Sequence, residues 1–285
     1  MTYCVGMRLN DGLVFLSDSR TNAGVDQIST FRKMTVFEHP GERLMVLLTA
    51  GNLAITQAVQ QIVCERLTPG QTSVWNASGM LEAVRMVGDA VREVHARDAA
   101  ALKEAGIEFN CSFIFGGQIR GEATRLFHVY AAGNYIEATP ENPYFQIGES
   151  KYGKPIIDRV VTPGTGLGEA AKCALISMDS TLRSNISVGL PLDLLVYEAD
   201  RLRVTKFVQI DQDNEYMQMI RGTWGARLRQ VFSEIPDPTW RDAPAAQAPR
   251  LETAACAPVR APLPAGLETD LNSGAKPFQL VAQHS

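Results

Sequence analysis

The sequence predicts an α+β fold in which two antiparallel sheets stack face to face and helices cover both outer faces. Three observations predict it. Short apolar segments bounded by turn residues recur along the chain, and longer segments of helical periodicity arrive in separate groups between them, which is not the strict strand and helix alternation of a parallel doubly wound sheet. The composition, 45% hydrophobic and 20% charged over 285 residues, is that of a globular protein with length enough for a large core.

Residues 3–9 and 13–17 are short apolar segments separated by Asn10-Asp11-Gly12, a strong local hairpin signal. Residues 33–37 and 44–49 read as a second strand pair, joined by His39-Pro40-Gly41-Glu42. From 53 to 67, Leu53, Ile55, Ala58, Val59, Ile62 and Val63 recur at helical spacing, and Pro69-Gly70 ends that helix. A longer helix is expected over 79–105, with Leu81, Val84, Val87, Val91 and Val94 on one face and Gly106 as its stop. These two helices are expected to pack together on a sheet. Residues 111–115, 126–131 and 134–138 read as strands, with Gly116-Gly117 and Gly133-Asn134 as turns. A helix over 169–182, strands over 194–199 and 205–210, and a last helix over 215–232 complete the folded part.

After Trp240 the composition shifts to Ala and Pro with few aromatics, the profile of a tail that buries too little apolar surface to fold. The expected organisation is one domain over 1–240 and a disordered extension over 241–285. Within that tail, Pro277-Phe278-Gln279-Leu280-Val281 is a candidate docking segment for a partner or a neighbouring subunit.

The net charge of −4 and the absence of a Lys/Arg run argue against a nucleic-acid partner. Cys4, Cys64, Cys111, Cys173 and Cys256 are odd in number and scattered, which reads as reduced thiols serving mainly as core filler. His39, His95, His128 and His284 are isolated, and no HExxH or similar spacing exists, so neither a metal site nor a Ser/His/Asp triad is expected. Polar residues Asn10, Asp11 and Asp18 interrupt the N-terminus too early for a signal peptide, and no run of 18 apolar residues suggests a membrane span. A cytoplasmic protein without a membrane partner is the expectation.

Chemistry enters at the second residue. Methionine aminopeptidases remove an initiator that precedes a small residue, and Thr2 is small enough. The mature chain would begin with a hydroxyl beside a free α-amine whose pKa lies at about 8, so the residue carries its own base. Asp18 closes the second strand of a hairpin whose first strand begins near Thr2, which brings this carboxylate towards the N-terminus. Lys33 opens the next strand after a turn-rich segment, in reach of both. A buried Lys33 ammonium held by Asp18 would lower the pKa of the Thr2 amine and stabilise charge developing on its Oγ.

The segment from Thr2 to Gly24, which contains Ser17-Asp18-Ser19-Arg20-Thr21-Asn22-Ala23-Gly24, and Ser29-Thr30-Phe31-Arg32-Lys33-Met34 resemble the opening of a proteasome β-type subunit. More narrowly they resemble the bacterial Anbu, or ancestral β-subunit, family. The likeness extends through Thr49-Ala50-Gly51-Asn52, the 148–155 segment, the 184–189 segment and the 236–240 segment, so it spans residues 2 to about 240 and leaves the tail outside. The resemblance implies a four-layer αββα sandwich of the N-terminal nucleophile (Ntn) hydrolase type, threonine peptidase chemistry and assembly of many subunits around a shared chamber or open spiral. It makes Thr2 nucleophile and base, Asp18 and Lys33 the supporting pair, and the Gly51 N–H the oxyanion donor. Where proteasome subunits carry a serine that orients the amine, this chain has Ile147-Gly148-Glu149-Ser150, so either Glu149 replaces that serine or Ser150 supplies it one residue later. In the partner loop, Ser184 or Asn185 stands at the first position and Ser187 at the second.

The leading expectation is a threonine endopeptidase acting on peptides or unfolded chains within a large homo-oligomer, with no metal or organic cofactor. An Ntn-type small-molecule amidohydrolase or amide-forming transferase is the second reading, and a weakly active assembly scaffold the third. The chain has no Walker-type loop, so any ATP use would come from a separate ATPase partner.

Overall fold

The computed structural model describes residues 2–22, 28–65 and 73–239. Residues through Ile235 form one compact unit. Of the second unit, which starts at Pro236, only 236–239 are described, so the boundary expected at 240 and the Pro277–Val281 segment lie outside the described residues.

The chain opens with β1 (Tyr3–Leu9) and β2 (Gly12–Asp18), paired antiparallel so that Leu9 faces Gly12 across the Asn10-Asp11 turn. A short ribbon follows, β3 (Arg20–Asn22) with β4 (Ile28–Thr30), then β5 (Met34–His39) and β6 (Arg43–Gly51). Helices α1 (Leu53–Cys64) and α2 (Met80–Glu104) lead into β7 (Cys111–Ile119), β8 (Arg125–Val129), β9 (Tyr135–Glu137) and β10 (Tyr144–Gly148). The unit finishes with α3 (Lys154–Val160), α4 (Leu167–Ser184), β11 (Leu192–Glu198), β12 (Lys206–Ile210) and α5 (Glu215–Glu234). One five-stranded sheet has the order β10-β1-β2-β11-β12 and the other β5-β6-β7-β8-β9.

Three apolar clusters stack these elements into four layers. Val59, Val84, Val87 and Val91 of α1 and α2 pack on Phe113, Phe115 and Phe127 of the second sheet. Leu13, Phe15, Val46, Leu48, Ile114 and Leu195 fill the space between the sheets. Val5, Val14, Leu16, Ala174, Met178 and Ile220 join the first sheet to α3, α4 and α5. The central strand β2 shows why this works: Leu13 and Phe15 enter one cluster while Val14 and Leu16 enter the other, so a strand buried on both faces reads as a continuous apolar run. The architecture is therefore the αββα sandwich.

Three sequence expectations change, and a few short elements appear that the sequence did not announce. Gly116-Gly117 is not a turn but the middle of β7, which runs on to Ile119. A Cβ at Gly117 would lie 2.1 Å from the Leu44 carbonyl oxygen, and one at Gly116 would lie 2.7 Å from a Leu126 methyl, so these glycines permit close packing rather than chain reversal. Leu81 is 39% exposed, because the buried stripe of α2 runs Met80, Val84, Val87, Val91 and Val94 and position 81 is one residue round the helix. The ribbon β3–β4, strand β10 and helix α3 carry no periodicity long enough to announce them. Strand β5 starts at Met34, which leaves Lys33 in the preceding segment.

Gly117→Ala is expected to cost about 1–3 kcal/mol, because the added methyl meets backbone that cannot swing aside. Gly164→Ala, whose Cβ meets nothing within 4 Å, is expected to stay within about 0.5 kcal/mol of the parent. Urea unfolding of both variants checks this, and equal midpoints would contradict the packing role assigned to Gly117.

Candidate active site

The starting residues of β1, the last residues of β2 and β6, and the segment before β5 meet at one end of the sandwich. Tyr3 N–H donates to Asp18 Oδ1 at 3.0 Å, the cross-strand contact that holds the beginning of the chain against the end of β2. Lys33 Nζ donates to the same Oδ1 at 2.6 Å and to the Arg20 carbonyl at 2.6 Å. Gly189 N–H completes the carboxylate by donating to Oδ2 at 3.3 Å. Asp18 is fully buried and Lys33 nearly so. Burial pushes the Asp18 carboxyl upward in pKa, while the Lys33 ammonium and the Tyr3 and Gly189 N–H groups pull it back by stabilising the charged form.

Thr2 is fixed from the other side. Its carbonyl accepts the Glu149 N–H at 2.7 Å, and Gly148, at φ +79°, leaves room for this approach: a Cβ there would lie 2.0 Å from the Thr2 oxygen. Thr2, Lys33 and Gly51 then line one cavity of about 660 Å³, together with Thr49, Asn52 and Ser112 among others.

Gly51 ends β6 at φ +117° with no space for a side chain, since a Cβ would lie 2.4 Å from the Asn110 carbonyl. Its N–H direction follows from its neighbours. Thr49 N–H donates to the Lys33 carbonyl and Asn52 N–H to the Asn110 carbonyl. Alternation along the strand therefore turns the Gly51 N–H to the Lys33 side, past the start of β5, where the cavity opens. A donor in that position is able to bind a developing oxyanion.

Of the remaining residues singled out by sequence, Glu149 reaches Thr2 only through its backbone. Its buried carboxylate accepts from Asn185 Nδ2 at 2.9 Å and lies 3.4 Å from Lys151 Nζ. Ser150 is engaged through its backbone in the turn that opens α3, where its carbonyl accepts from Gly153 and Lys154. Ser187 donates its N–H to Asn185 Oδ1 and does not line the cavity. Residues 185–189 are thus a brace. Asn185 grips Glu149, Gly189 grips Asp18, and Arg20 Nη1 donates to the Ile186 carbonyl at 2.9 Å. The roles of Arg20 and Gly189 carry no sequence signal beyond their place in the 17–24 and 184–189 segments. Ser112 and His128 escaped it as well: Ser112 Oγ lies 2.7 Å from His128 Nε2, a meeting made only by the β7–β8 hairpin. Cys4, Cys111 and Cys173 are core residues. Among the described residues no group of three His, Cys, Asp or Glu side chains is placed to hold a metal, and no helix is long and apolar enough to cross a membrane.

Fold and site together define an Ntn hydrolase fold of the proteasome type. An Anbu (ancestral β-subunit) structure from Yersinia bercovieri is 53% identical, covering 84% of this chain and 99% of its own, with a TM-score of 0.79. Anbu from a Hyphomicrobium species is 50% identical over 84% of this chain and 100% of its own, with a TM-score of 0.77. Anbu from Pseudomonas aeruginosa, solved as a helical assembly of the Anbu complex, is 48% identical over 86% of this chain and 100% of its own, at 0.79. No protein-family model and no curated protein matches the chain. The chain belongs to the Anbu family.

The Lys33–Asp18 pair gives a direct test. Lys33→Met leaves a buried carboxylate without its cation and is expected to cost about 3–5 kcal/mol. Adding Asp18→Asn is expected to recover at least half of that loss in chemical unfolding. A double variant no more stable than Lys33→Met would show that the two charges are not coupled.

Proposed function

We propose that this Anbu-family chain is a threonine peptidase subunit whose nucleophile is Thr2 after removal of Met1. The observation that carries the reading is the shared Asp18 oxygen, which accepts both the Tyr3 N–H and the Lys33 ammonium and so ties the chain's beginning to a buried cation. A nearby positive charge disfavours protonation of the Thr2 α-amine and favours the alkoxide-like state of Oγ. The amine takes the proton from Oγ as Oγ attacks the scissile carbonyl. The Gly51 N–H receives the oxyanion, and the amine passes the proton to the departing nitrogen. Water then attacks the ester, again with the amine as base, and regenerates Thr2. The Glu149–Asn185 contact and the brace over 185–189 hold the walls around the amine.

Assembly into a homo-oligomer belongs to the same proposal. The Pseudomonas aeruginosa relative supports it, and so does α5. Only Met217 and Ile220 of this helix are buried, while Leu228, Val231 and Phe232 are exposed, Phe232 to 78%. Contiguous apolar surface of this kind marks a contact surface. Phe232→Glu with Leu228→Glu is expected to reduce the sedimentation coefficient at unchanged far-UV circular dichroism, and an unaltered assembly would remove α5 from the interface.

The activity test combines intact mass with an epoxyketone or β-lactone probe. The expected result is a chain lacking Met1 and carrying one adduct on Thr2, with Thr2→Ala unlabelled and at least about 10³-fold slower on peptides. A retained Met1, or labelling that persists in Thr2→Ala, would overturn the proposal. Cleavage of single amides without cleavage of peptides would favour the amidohydrolase reading.

A further inference from the structure

One wall of the cavity contains Ser112, whose hydroxyl is bonded to His128, and the Thr2 mechanism uses neither. Along β7 the side chains alternate: Phe113 and Phe115 enter the core under α1 and α2, and Ile114 enters the space between the sheets. Ser112 shares the face of Ile114 and is the cross-strand partner of Ala50, one residue before Gly51. It therefore stands across from the residue that precedes Gly51, on the face that meets the opposite sheet, and lines the same cavity as Thr2 and Gly51. Its Oγ is held 2.7 Å from His128 Nε2. The imidazole is itself flanked by aromatic rings tilted at 45° to it, with centroids 4.3 Å away for Tyr130 and 5.6 Å for Phe145, and burial pushes its pKa down, in favour of the neutral form.

A hydroxyl bonded to a neutral imidazole uses one of its two polarities there and keeps the other. If Nε2 accepts the Ser112 proton, the oxygen lone pairs remain for the cavity. If the other tautomer donates to Ser112, the O–H remains. Either way a fixed polar group is left on the lining of the cavity that Thr2 shares. The rest of the lining has the same character, with Thr21, Thr49, Thr56, Asn52 and Asn110, and the buried Thr21 Oγ1 has no partner. The charged side chains of the lining, Arg20 and Lys33, are both cations already engaged within the protein, Lys33 by the Asp18 carboxylate and Arg20 by the Ile186 carbonyl. Such a wall suits a side chain that hydrogen-bonds and repels one that carries positive charge. A second nucleophile is not the reading, because among the described residues no acid is bonded to His128 to orient it as a base.

We propose that Ser112, oriented by His128, is a specificity-determining residue that reads an uncharged hydrogen-bonding side chain, a carboxamide or hydroxyl, on the substrate residue next to the scissile bond. The inference rests on the Thr2 peptidase reading. Its physical basis is that a site built around a hydrogen bond rejects the isostere lacking it, because the protein group is then desolvated and unpaired. His128 acts as a positioning residue, since it reaches substrate only through Ser112.

The test measures the second-order rate of Thr2 labelling by peptide epoxyketones that differ only in the residue flanking the electrophile: Gln, its near-isostere Met, Glu and Lys. The assembled full-length chain is used. The expected Gln/Met ratio is at least about 30, with Lys slowest. Ser112→Ala is expected to bring the ratio below about 3, Ser112→Thr to restore most of it, and His128→Phe, which keeps an aromatic ring between Tyr130 and Phe145, to lower it through KI rather than kinact. Equal melting temperature and assembly state of the variants separate this from misfolding. A wild-type ratio near one, a ratio unmoved by Ser112→Ala, or faster labelling by the Glu or Lys probe would overturn the inference while leaving Thr2 as nucleophile. No labelling by any probe would strike the Thr2 reading itself and remove the inference with it.

Discussion

An ammonium and a carboxylate, both out of water, meet where the two sheets open, and the surrounding structure is arranged to keep them there. Desolvating either charge alone is expensive, and their attraction offsets that cost only if the remaining hydrogen-bonding capacity is also met. Each requirement is visible. Asp18 collects Lys33 and the N–H groups of Tyr3 and Gly189, while Lys33 also donates to the Arg20 carbonyl. The bonds come from β1, the segment before β5, the first residue of β3 and the loop before β11. A single ion pair thus fastens together four stretches of chain distant in sequence, and the beginning of the chain is one of them.

The two-sheet sandwich explains how such a site is supported. Antiparallel pairing brings the start of β1 beside the end of β2, and the register of β6 and β7 places Gly51 at the same end. The helices do no chemistry there. Their contribution is the apolar clusters that hold the sheets in place, with α4 leading into the 185–189 brace. This division leaves the cavity free to vary on its walls, where Ser112 and the threonines stand, without disturbing the Lys33–Asp18 pair.

Much of this was legible in the sequence, for reasons that differ by residue. The Asn10-Asp11-Gly12 turn fixes β1 against β2 by local geometry alone, so the nearness of Asp18 to the N-terminus follows from counting residues along a hairpin. Periodicity revealed α1 and α2, because each buries one stripe. Gly116-Gly117 was misread because glycine serves two ends, reversal of the chain and close approach of strands, and only the packing of Leu44 and Leu126 tells which. The choice between Glu149 and Ser150 as the residue that orients the Thr2 amine was not legible, since it depends on the path of the loop after β10 rather than on any local pattern. Ser112 and His128 looked unrelated because their contact is diagonal across a hairpin whose turn had been placed too early. The short elements β3, β4, β10 and α3 owe their form to tertiary contacts and leave no pattern of their own.

The account stands on a terminal amine whose protonation Lys33 opposes. Titrating that amine by NMR in a chain labelled with 15N at threonine measures it directly. The account predicts a new terminal resonance with a pKa below the ordinary value of about 7.7–8.0, moving upward in Lys33→Met. A terminal amine absent from Thr2, or one titrating at or above the ordinary value and indifferent to Lys33, would contradict it.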